Sequence, residues 1–161
     1  MPVTTKIEEV RNEIEELAKT TPTAQDLMQK MVKVLHERML KYNWVGFYML
    51  EPGANPPMLV LGAFEGAMTP HTRIPLNQGI CGAAASSGQT VVVDDVSKDP
   101  RYLACSLETK SEIVVPVFAR CKVVGELDID SHFPAAFTRE HQELVQHCAI
   151  LVGEKLETAS A

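Results

Sequence analysis

The sequence predicts an α+β fold in which helices from both chain ends pack on one face of a central antiparallel sheet. The first supporting observation is a pair of runs rich in β-branched residues, 113–118 and 123–129, separated by only four residues. Such a pair is typical of a β-hairpin. The second observation is apolar spacing of helical period near both chain ends. Together these features give the element order ααββαβ(loop)ββα.

Two helices are predicted before the first strand. Apolar residues at positions 7, 10, 14 and 17 recur at helical spacing, with Thr4 or Thr5 as the cap. Thr23 follows Thr21-Pro22 and is placed to cap the second helix. The apolar face of that second helix consists of Leu27, Met28, Met31, Val32, Leu35 and Met39.

An aromatic strand and its partner are predicted next. Residues 44–50 (WVGFYML) form an apolar run, and 58–64 follows after a turn punctuated by prolines and a glycine. Loops at 65–80 and 94–111 are expected to cover the sheet face opposite the terminal helices. Within the first of these loops, 65–71 contains Gly66 and Pro70, which favour irregular backbone.

The second half of the chain supplies a short helix, a short strand, the central hairpin and a long final helix. Glycines and alanines from Gly79 onward predict a tightly packed helix that ends at Gly88. Residues 90–93 form a strand, and 94–105 is a polar connection with room for one helical turn. Thr138 opens the final helix, which runs to about Thr158.

Composition narrows the classes of function. The 161 residues are expected to form one domain, 1–161, with a hydrophobic content of 45% and a charged content of 22%. A net charge of −6 without a basic run argues against binding to nucleic acid. No apolar stretch approaches the ~18 residues of a membrane span, so neither a membrane nor a secretory signal is predicted. The expected location is the cytoplasm.

The four cysteines are expected to act, if they act, as thiols. The cytoplasm keeps thiols reduced, and the sequence contains neither a C-x-x-C motif nor a cysteine–histidine set typical of a zinc site, so no metal is predicted. Cys81 lies near a predicted helix N-terminus, which would lower its pKa, although a cysteine among alanines is more often a core residue. Cys105 lies in a polar loop and is harder to assign to the core. Cys121 is predicted in the exposed hairpin turn, and Cys148 in the core.

Carboxylates at Glu112, Asp128 and Asp130 lie on the central hairpin. Because side chains alternate along a strand, Asp128 and Asp130 project from the same face. Two neighbouring acids repel each other, which favours a functional reason for them. The alternative is a strand end that emerges into solvent. Trp44 and Tyr48 also share one strand face, where they belong either to the core or to the wall of a small pocket.

Six segments together resemble the GAF-domain family and, within it, the free methionine-(R)-sulfoxide reductases. They are YNWVGFY at 42–48, LGAFEG at 61–66, GICG at 79–82, LACS at 103–106, SEIVVP at 111–116 and GELDIDS at 125–131. The resemblance extends from the first predicted helix to the last. It implies reduction of free methionine sulfoxide by cysteine attack, through a sulfenic acid and then a disulfide.

The resemblance also implies roles for individual residues. Cys105 matches the catalytic cysteine and Cys81 a resolving cysteine, whereas the segment 67–71 lacks the third cysteine usual in the family. The residues implied to bind substrate are Trp44, Tyr48, Glu112, Asp128 and Asp130. No bound cofactor is implied; a thioredoxin-type reductant is expected to supply electrons, and a homodimer is expected.

Two alternatives remain open from the sequence. One is a non-catalytic GAF module that binds a small molecule as a sensor, which the segments 72–76 and 95–103 favour. The other is a redox sensor that uses the Cys81/Cys105 pair without a substrate. A thiol count before and after addition of free methionine sulfoxide would separate a reductase from a binding protein.

Overall fold

Helices and strands of the computed structural model, which describes residues 5–102 and 108–159, follow the predicted order with one addition. The helices are α1 Lys6–Thr20, α2 Ala24–Arg38, α3 Gly79–Ser87 and α4 Arg139–Ala159, with a 3-10 turn at Val96–Lys98. The strands are β1 Trp44–Leu50, β2 Met58–Glu65, β3 Arg73–Pro75, β4 Val91–Val93, β5 Ser111–Ala119 and β6 Lys122–Ser131.

All six strands found in the described residues belong to one antiparallel sheet, in the order β3-β2-β1-β6-β5-β4. The hairpin β5–β6 lies near its centre. Its turn consists only of Arg120 and Cys121, both with positive φ, at 52° and 65°. Because this tight turn uses two residues rather than four, each strand gains one residue at the turn, and both strands also extend two residues further at their other ends.

The terminal helices pack on one face of the sheet, which confirms the predicted fold class. Val10 and Ile14 of α1 and Val145 and Cys148 of α4 are fully buried in one core cluster. The same cluster contains the buried face of α2 and the odd-numbered hairpin residues Ile113, Val115, Val117, Leu127 and Ile129. The even-numbered residues at 112–114 and 126–130 are therefore left to the opposite face, which α3 covers.

Local capping agrees with the predicted helix starts. Thr5 accepts a hydrogen bond from the Glu8 backbone nitrogen, and the Glu8 side chain accepts one from the Thr5 backbone nitrogen. Thr23 accepts from the Asp26 nitrogen in the same way. Each cap satisfies a backbone donor that the first turn of the helix leaves unpaired.

One element differs from prediction. Within the segment 65–80, predicted as loop, Arg73–Pro75 forms the edge strand β3 and pairs with β2. Three residues with a single buried side chain, Ile74, are too few to show the alternation by which a strand is recognised. The strand is defined by its pairing with β2, which lies outside these three residues.

In the part of the chain that the structure describes, no helix has the length and apolar character needed to cross a membrane.

Gly153 lets α4 approach the sheet closely, and this contact yields a stability prediction. A Cβ at position 153 would lie 2.1 Å from the Phe118 carbonyl oxygen of β5. Gly153→Ala is expected to destabilise the fold, because overpacking against backbone costs up to about 3 kcal/mol and the gain in helix propensity is only about 1 kcal/mol. Urea unfolding of the variant measures the difference.

Glu154→Ala is the matched control, since Glu154 is the exposed neighbour on the same helix. Its free energy of unfolding should change by about 0.5 kcal/mol or less. A Gly153→Ala variant as stable as the wild type would show that α4 does not sit this close to β5.

Candidate active site

Strand alternation gathers four carboxyl groups on the α3 side of the sheet. Glu126, Asp128 and Asp130 alternate along β6, and Glu112 on β5 pairs directly with Asp130. We call these four residues the acidic cluster. Their exposed fractions are 0% for Glu126, 2% for Asp128, 3% for Asp130 and 5% for Glu112. The interpretation of Asp128 and Asp130 as a strand end emerging into solvent is therefore wrong.

Burial makes the charged forms of the acidic cluster unfavourable. It is the main cause that raises the pKa of Glu112, Asp128, Glu126 and Asp130 above ordinary carboxyl values, well above for all but Asp128. Repulsion from neighbouring carboxylates adds to the rise for Glu112, Glu126 and Asp130. No ion pair among the described residues involves the cluster. The cluster therefore favours protonated carboxyl groups at pH values where exposed acids are ionised.

Several oxygens of the acidic cluster are unsatisfied. Among the described residues, both Glu126 oxygens, Asp128 Oδ1 and Asp130 Oδ1 are buried without a hydrogen-bond partner. Most buried polar groups in proteins are paired, because an unpaired group costs about 1–3 kcal/mol. Because unpaired buried oxygens destabilise the fold, their concentration here indicates a functional site.

Helix α3 brings Cys81 against the acidic cluster. Cys81 is the third residue of α3, is buried, and donates its Sγ–H to Asp128 Oδ2 at 3.3 Å. Burial and the carboxyl groups of Asp128, Glu126 and Glu112 raise the pKa of Cys81 well above that of a free thiol. The predicted lowering of this pKa by the helix N-terminus is wrong, because desolvation and the adjacent acids outweigh the helix dipole.

Aromatic side chains on β1 and β2 form a wall beside the acidic cluster. Trp44 and Tyr48 share one face as predicted, with ring centroids 6.1 Å apart, and Phe64 stacks on Trp44 at 5.8 Å. The β1–β6 register sets Trp44 opposite Asp130 and Tyr48 opposite Glu126. The aromatic side chains of β1 therefore lie next to the acidic side chains of β6 on one face of the sheet.

Glycine at position 46 makes room for the Trp44 ring. A Cβ there would lie 2.3 Å from Cη2 of Trp44, which no side chain could tolerate without moving the ring. Gly46 pairs with Asp128 across the strands. The indole consequently lies flat along β1 beside the acidic cluster.

Two hydrogen bonds fasten the segment after β2 over the aromatic wall. Trp44 Nε1 donates to the Ala67 carbonyl at 3.0 Å, and Tyr48 Oη donates to the His71 carbonyl at 2.6 Å. The buried polar ends of both rings are thus satisfied by backbone. The surface that the wall offers to a ligand is therefore the apolar part of the two rings.

A cavity of about 300 Å³ opens between the aromatic wall and the end of β6. This volume lies at the small end of the range for ligand pockets. Its described lining is His36, Asn43, Trp44, Gly66, Ala67, Met68, Thr69, Glu108, Thr109, Asp130 and His132. No lysine or arginine occurs in that described lining, so the charged groups that it offers a ligand are mainly acidic.

Asn43 fixes the end of β6 at the cavity. Its backbone nitrogen donates to the Asp130 carbonyl at 3.0 Å, and its Oδ1 accepts from the His132 nitrogen at 2.7 Å. These bonds hold Asp130 in place where the acidic cluster meets the cavity.

The remaining cysteines differ in accessibility. Cys121 is exposed in the hairpin turn and Cys148 is buried in the core, as predicted. Cys105, the predicted catalytic cysteine, lies outside the described residues. Its role, and its pairing with Cys81, remain predictions.

Glu126 is a site residue that the sequence interpretation missed. It precedes Asp128 by two positions in GELDIDS, so strand alternation places all three acids of that motif on one face. The signal was therefore present. The sequence interpretation names only Glu112, Asp128 and Asp130 among the hairpin acids.

The fold and this site define the class of the protein. A family model described as GAF domain matches residues 23–156, and the chain belongs to the GAF-domain family. Within that family it is similar to a free methionine-R-sulfoxide reductase of Escherichia coli, with 38% identity over 110 residues, which cover 68% of this chain and 64% of that protein. A protein of the same name from Saccharomyces cerevisiae is 38% identical over 113 residues, covering 70% of this chain and 62% of the relative. Each alignment thus spans less than two thirds of the relative's length.

A solved structure is similar over almost the whole chain. It is a free methionine-R-sulfoxide reductase from Neisseria meningitidis in complex with its substrate, with a TM-score of 0.89 and 33% identity. The likeness covers 99% of this chain and 95% of that one.

Proposed function

We propose that this protein reduces free L-methionine-(R)-sulfoxide to methionine with its own thiols. The observation that carries the proposal is the buried acidic cluster packed against the Cys81 thiol beside an aromatic wall. Reduction of a sulfoxide needs a thiol to attack sulfur and an acid to protonate the departing oxygen. The similar proteins from E. coli, yeast and Neisseria bear the name of this activity.

The cavity accounts for a preference for the free amino acid. Oxygens of Glu108 and Asp130 in its lining can accept hydrogen bonds from an ammonium group, which methionine sulfoxide loses when it is part of a peptide chain. Trp44 offers an apolar surface for the methyl and methylene groups. A volume of about 300 Å³ accommodates a small ligand and excludes a folded partner.

A protonated carboxyl group of the acidic cluster serves as the acid. A carboxyl group that stays protonated near neutral pH donates its proton to the sulfoxide oxygen as the S–O bond breaks. Glu112 and Asp130 face each other across β5 and β6, so the two groups can share one proton. Because the acid form is the active one, the chemical step is expected to slow as pH rises through these raised pKa values.

The thiol chemistry balances in two steps. The Cys105 sulfur attacks the sulfoxide sulfur as a carboxyl group of the acidic cluster protonates the sulfoxide oxygen. As the S–O bond breaks, that hydroxyl group passes to the Cys105 sulfur, the transient bond between the two sulfurs breaks, and methionine leaves. Cys105 is then a sulfenic acid, and the proton of its thiol replaces the one that the carboxyl group gave up. The Cys81 thiol then attacks the sulfenic sulfur, which forms a disulfide and releases water. Asp128 Oδ2 accepts the Cys81 hydrogen bond and is positioned to take that proton as the S–S bond forms.

Recycling needs two electrons from an external dithiol. A thioredoxin-type reductant in a reducing compartment such as the cytoplasm fits this requirement, because thiol–disulfide exchange returns both cysteines to thiols. We also propose a homodimer, for which the half-exposed Ile150 on α4 offers apolar contact area. Sedimentation of the purified chain tests that assembly.

The test of function is methionine release measured by chromatography with dithiothreitol as reductant. Free L-methionine-(R)-sulfoxide is expected to be turned over repeatedly. The (S)-sulfoxide and N-acetylmethionine-(R)-sulfoxide are matched controls, since each changes only the sulfur configuration or the ammonium group. Both are expected to react at least about 100-fold more slowly. The (S)-sulfoxide turns its oxygen away from the acid, and the N-acetyl compound leaves buried polar groups of the site unpaired, which costs about 1–3 kcal/mol.

Two results would contradict the proposal. Equal turnover of the N-acetyl compound would remove the role assigned to the acidic lining. Tight binding of the free sulfoxide without loss of thiols or release of methionine would instead identify a sensor module.

A further inference from the structure

The thiol and two carboxyl groups at the centre of the site converge closely enough to hold one metal ion. Ligand atoms of Cys81, Glu112 and Asp128 all lie within 4.8 Å of one another, and all three residues are buried. We propose that these residues form a binding site for a single divalent cation of intermediate softness, Zn²⁺. The three residues come from α3, β5 and β6, so the fold itself assembles them.

Unpaired oxygens around these three residues point independently to a cationic ligand. Asp128 Oδ1 and both oxygens of Glu126 are buried without a partner among the described residues. Glu126 is fully buried and lies two residues before Asp128 on the same face of β6. A cation held by Cys81, Glu112 and Asp128 would bring a positive charge to this group of unpaired oxygens.

The donor set selects the kind of cation. Thiolate is a soft ligand that favours zinc, and carboxylates bind zinc at about 2.0–2.2 Å. Mg²⁺ and Ca²⁺ prefer six or more oxygen ligands and gain nothing from a thiolate. Zinc binds four ligands in a tetrahedron. Cys81, Glu112 and Asp128 supply three, which leaves the fourth position open for water or a substrate group.

Zinc at this position would block catalysis. It would hold Cys81, the resolving thiol, and two carboxyl groups assigned to the substrate, so zinc and free methionine sulfoxide would compete. This consequence rests on the proposed function, whereas cation binding itself does not.

The experiment titrates the reduced full-length protein with Co²⁺ under anaerobic conditions. Cobalt replaces zinc in such sites, and a bound thiolate gives a near-ultraviolet charge-transfer band. One equivalent of Co²⁺ is expected to produce the band, and Zn²⁺ is expected to abolish it by displacement. Absence of a band in the wild-type protein would overturn the proposal.

Variants locate the ligands. Cys81→Ala should lose the band while remaining folded, because α3 already packs alanines at Ala84 and Ala85. Cys81→Ser is the second variant if the first does not fold. Cys121→Ser, which changes the exposed cysteine, should keep the band. Glu112→Gln and Asp128→Asn should each weaken cobalt binding by about 10-fold to 100-fold or more, since even indirect ligands have effects of that size.

The outcomes separate this proposal from the proposed function. A band that survives in both Cys81 variants, or that disappears instead in Cys105→Ser, would show that the cation binds elsewhere and overturn the site. Metal-free protein is assayed for methionine release in parallel. Reductase activity without a cobalt band would reject only the cation site, and a cobalt band without reductase activity would reject only the proposed function.

Discussion

Cys105→Ser is expected to abolish methionine release, whereas Cys81→Ser is expected to release about one methionine per chain and then stop. The first variant lacks the attacking thiol, and a serine hydroxyl at neutral pH is too weak a nucleophile to replace it. The second keeps the attack but cannot resolve the sulfenic acid. Methionine released per chain is measured with a thioredoxin-type reductant present, because under that condition the wild type turns over repeatedly and a stop after one methionine is visible.

Cys121→Ser and Cys148→Ala serve as controls for this pair. Cys121 is exposed in the hairpin turn and Cys148 is buried in the core on the opposite sheet face, so neither shares the site with Cys81. Both variants are expected to release methionine as the wild type does, apart from lower stability in Cys148→Ala. Multiple turnovers by Cys105→Ser would end the assignment of Cys105 as the attacking residue.

Glu126→Met is expected to stabilise the protein at neutral pH by about 1–3 kcal/mol. Glu126 is fully buried with two unpaired oxygens, and methionine fills similar space without a polar group. Guanidinium unfolding at several pH values measures the free energy of unfolding. Glu37→Met is the matched control, because Glu37 is exposed and its replacement should change that energy by about 0.5 kcal/mol or less.

The pH dependence has a definite sign. The pKa of Glu126 is raised in the folded protein, chiefly by burial, so the folded state binds more protons than the unfolded state above the ordinary glutamate pKa of about 4.3. The free energy of unfolding therefore falls as pH rises from that value through the raised pKa. Glu126→Met should make this fall shallower. An equally steep fall in the variant would show that Glu126 is not held in its neutral form.

Local patterns in the sequence were enough to predict most elements. Alternation and β-branched content located the hairpin, and helical spacing with threonine caps located α1 and α2. Glycines at 79 and 88 bounded α3 as predicted. These elements were predictable because their signals lie within a few residues of each other. The strand β3 was missed because its pairing comes from β2 rather than from its own three residues.

Alternation likewise predicted that Asp128 and Asp130 share a face, and that Trp44 and Tyr48 do. It did not reveal their burial, because burial depends on which element covers the face. The same rule applied one step further back along β6 would have included Glu126.

The sequence by itself determined the α+β fold, the positions of the hairpin carboxylates and the aromatic strand, since each follows from periodicity along the chain. Only the tertiary structure decided the chemistry of Cys81. Its helix position favours an ionised thiol, but packing of α3 onto β5 and β6 surrounds it with Glu112, Glu126 and Asp128 and removes water. Desolvation and Coulomb repulsion depend on distances between segments far apart in sequence. For that reason the local motif predicted a lowered pKa, and the assembled site raises it.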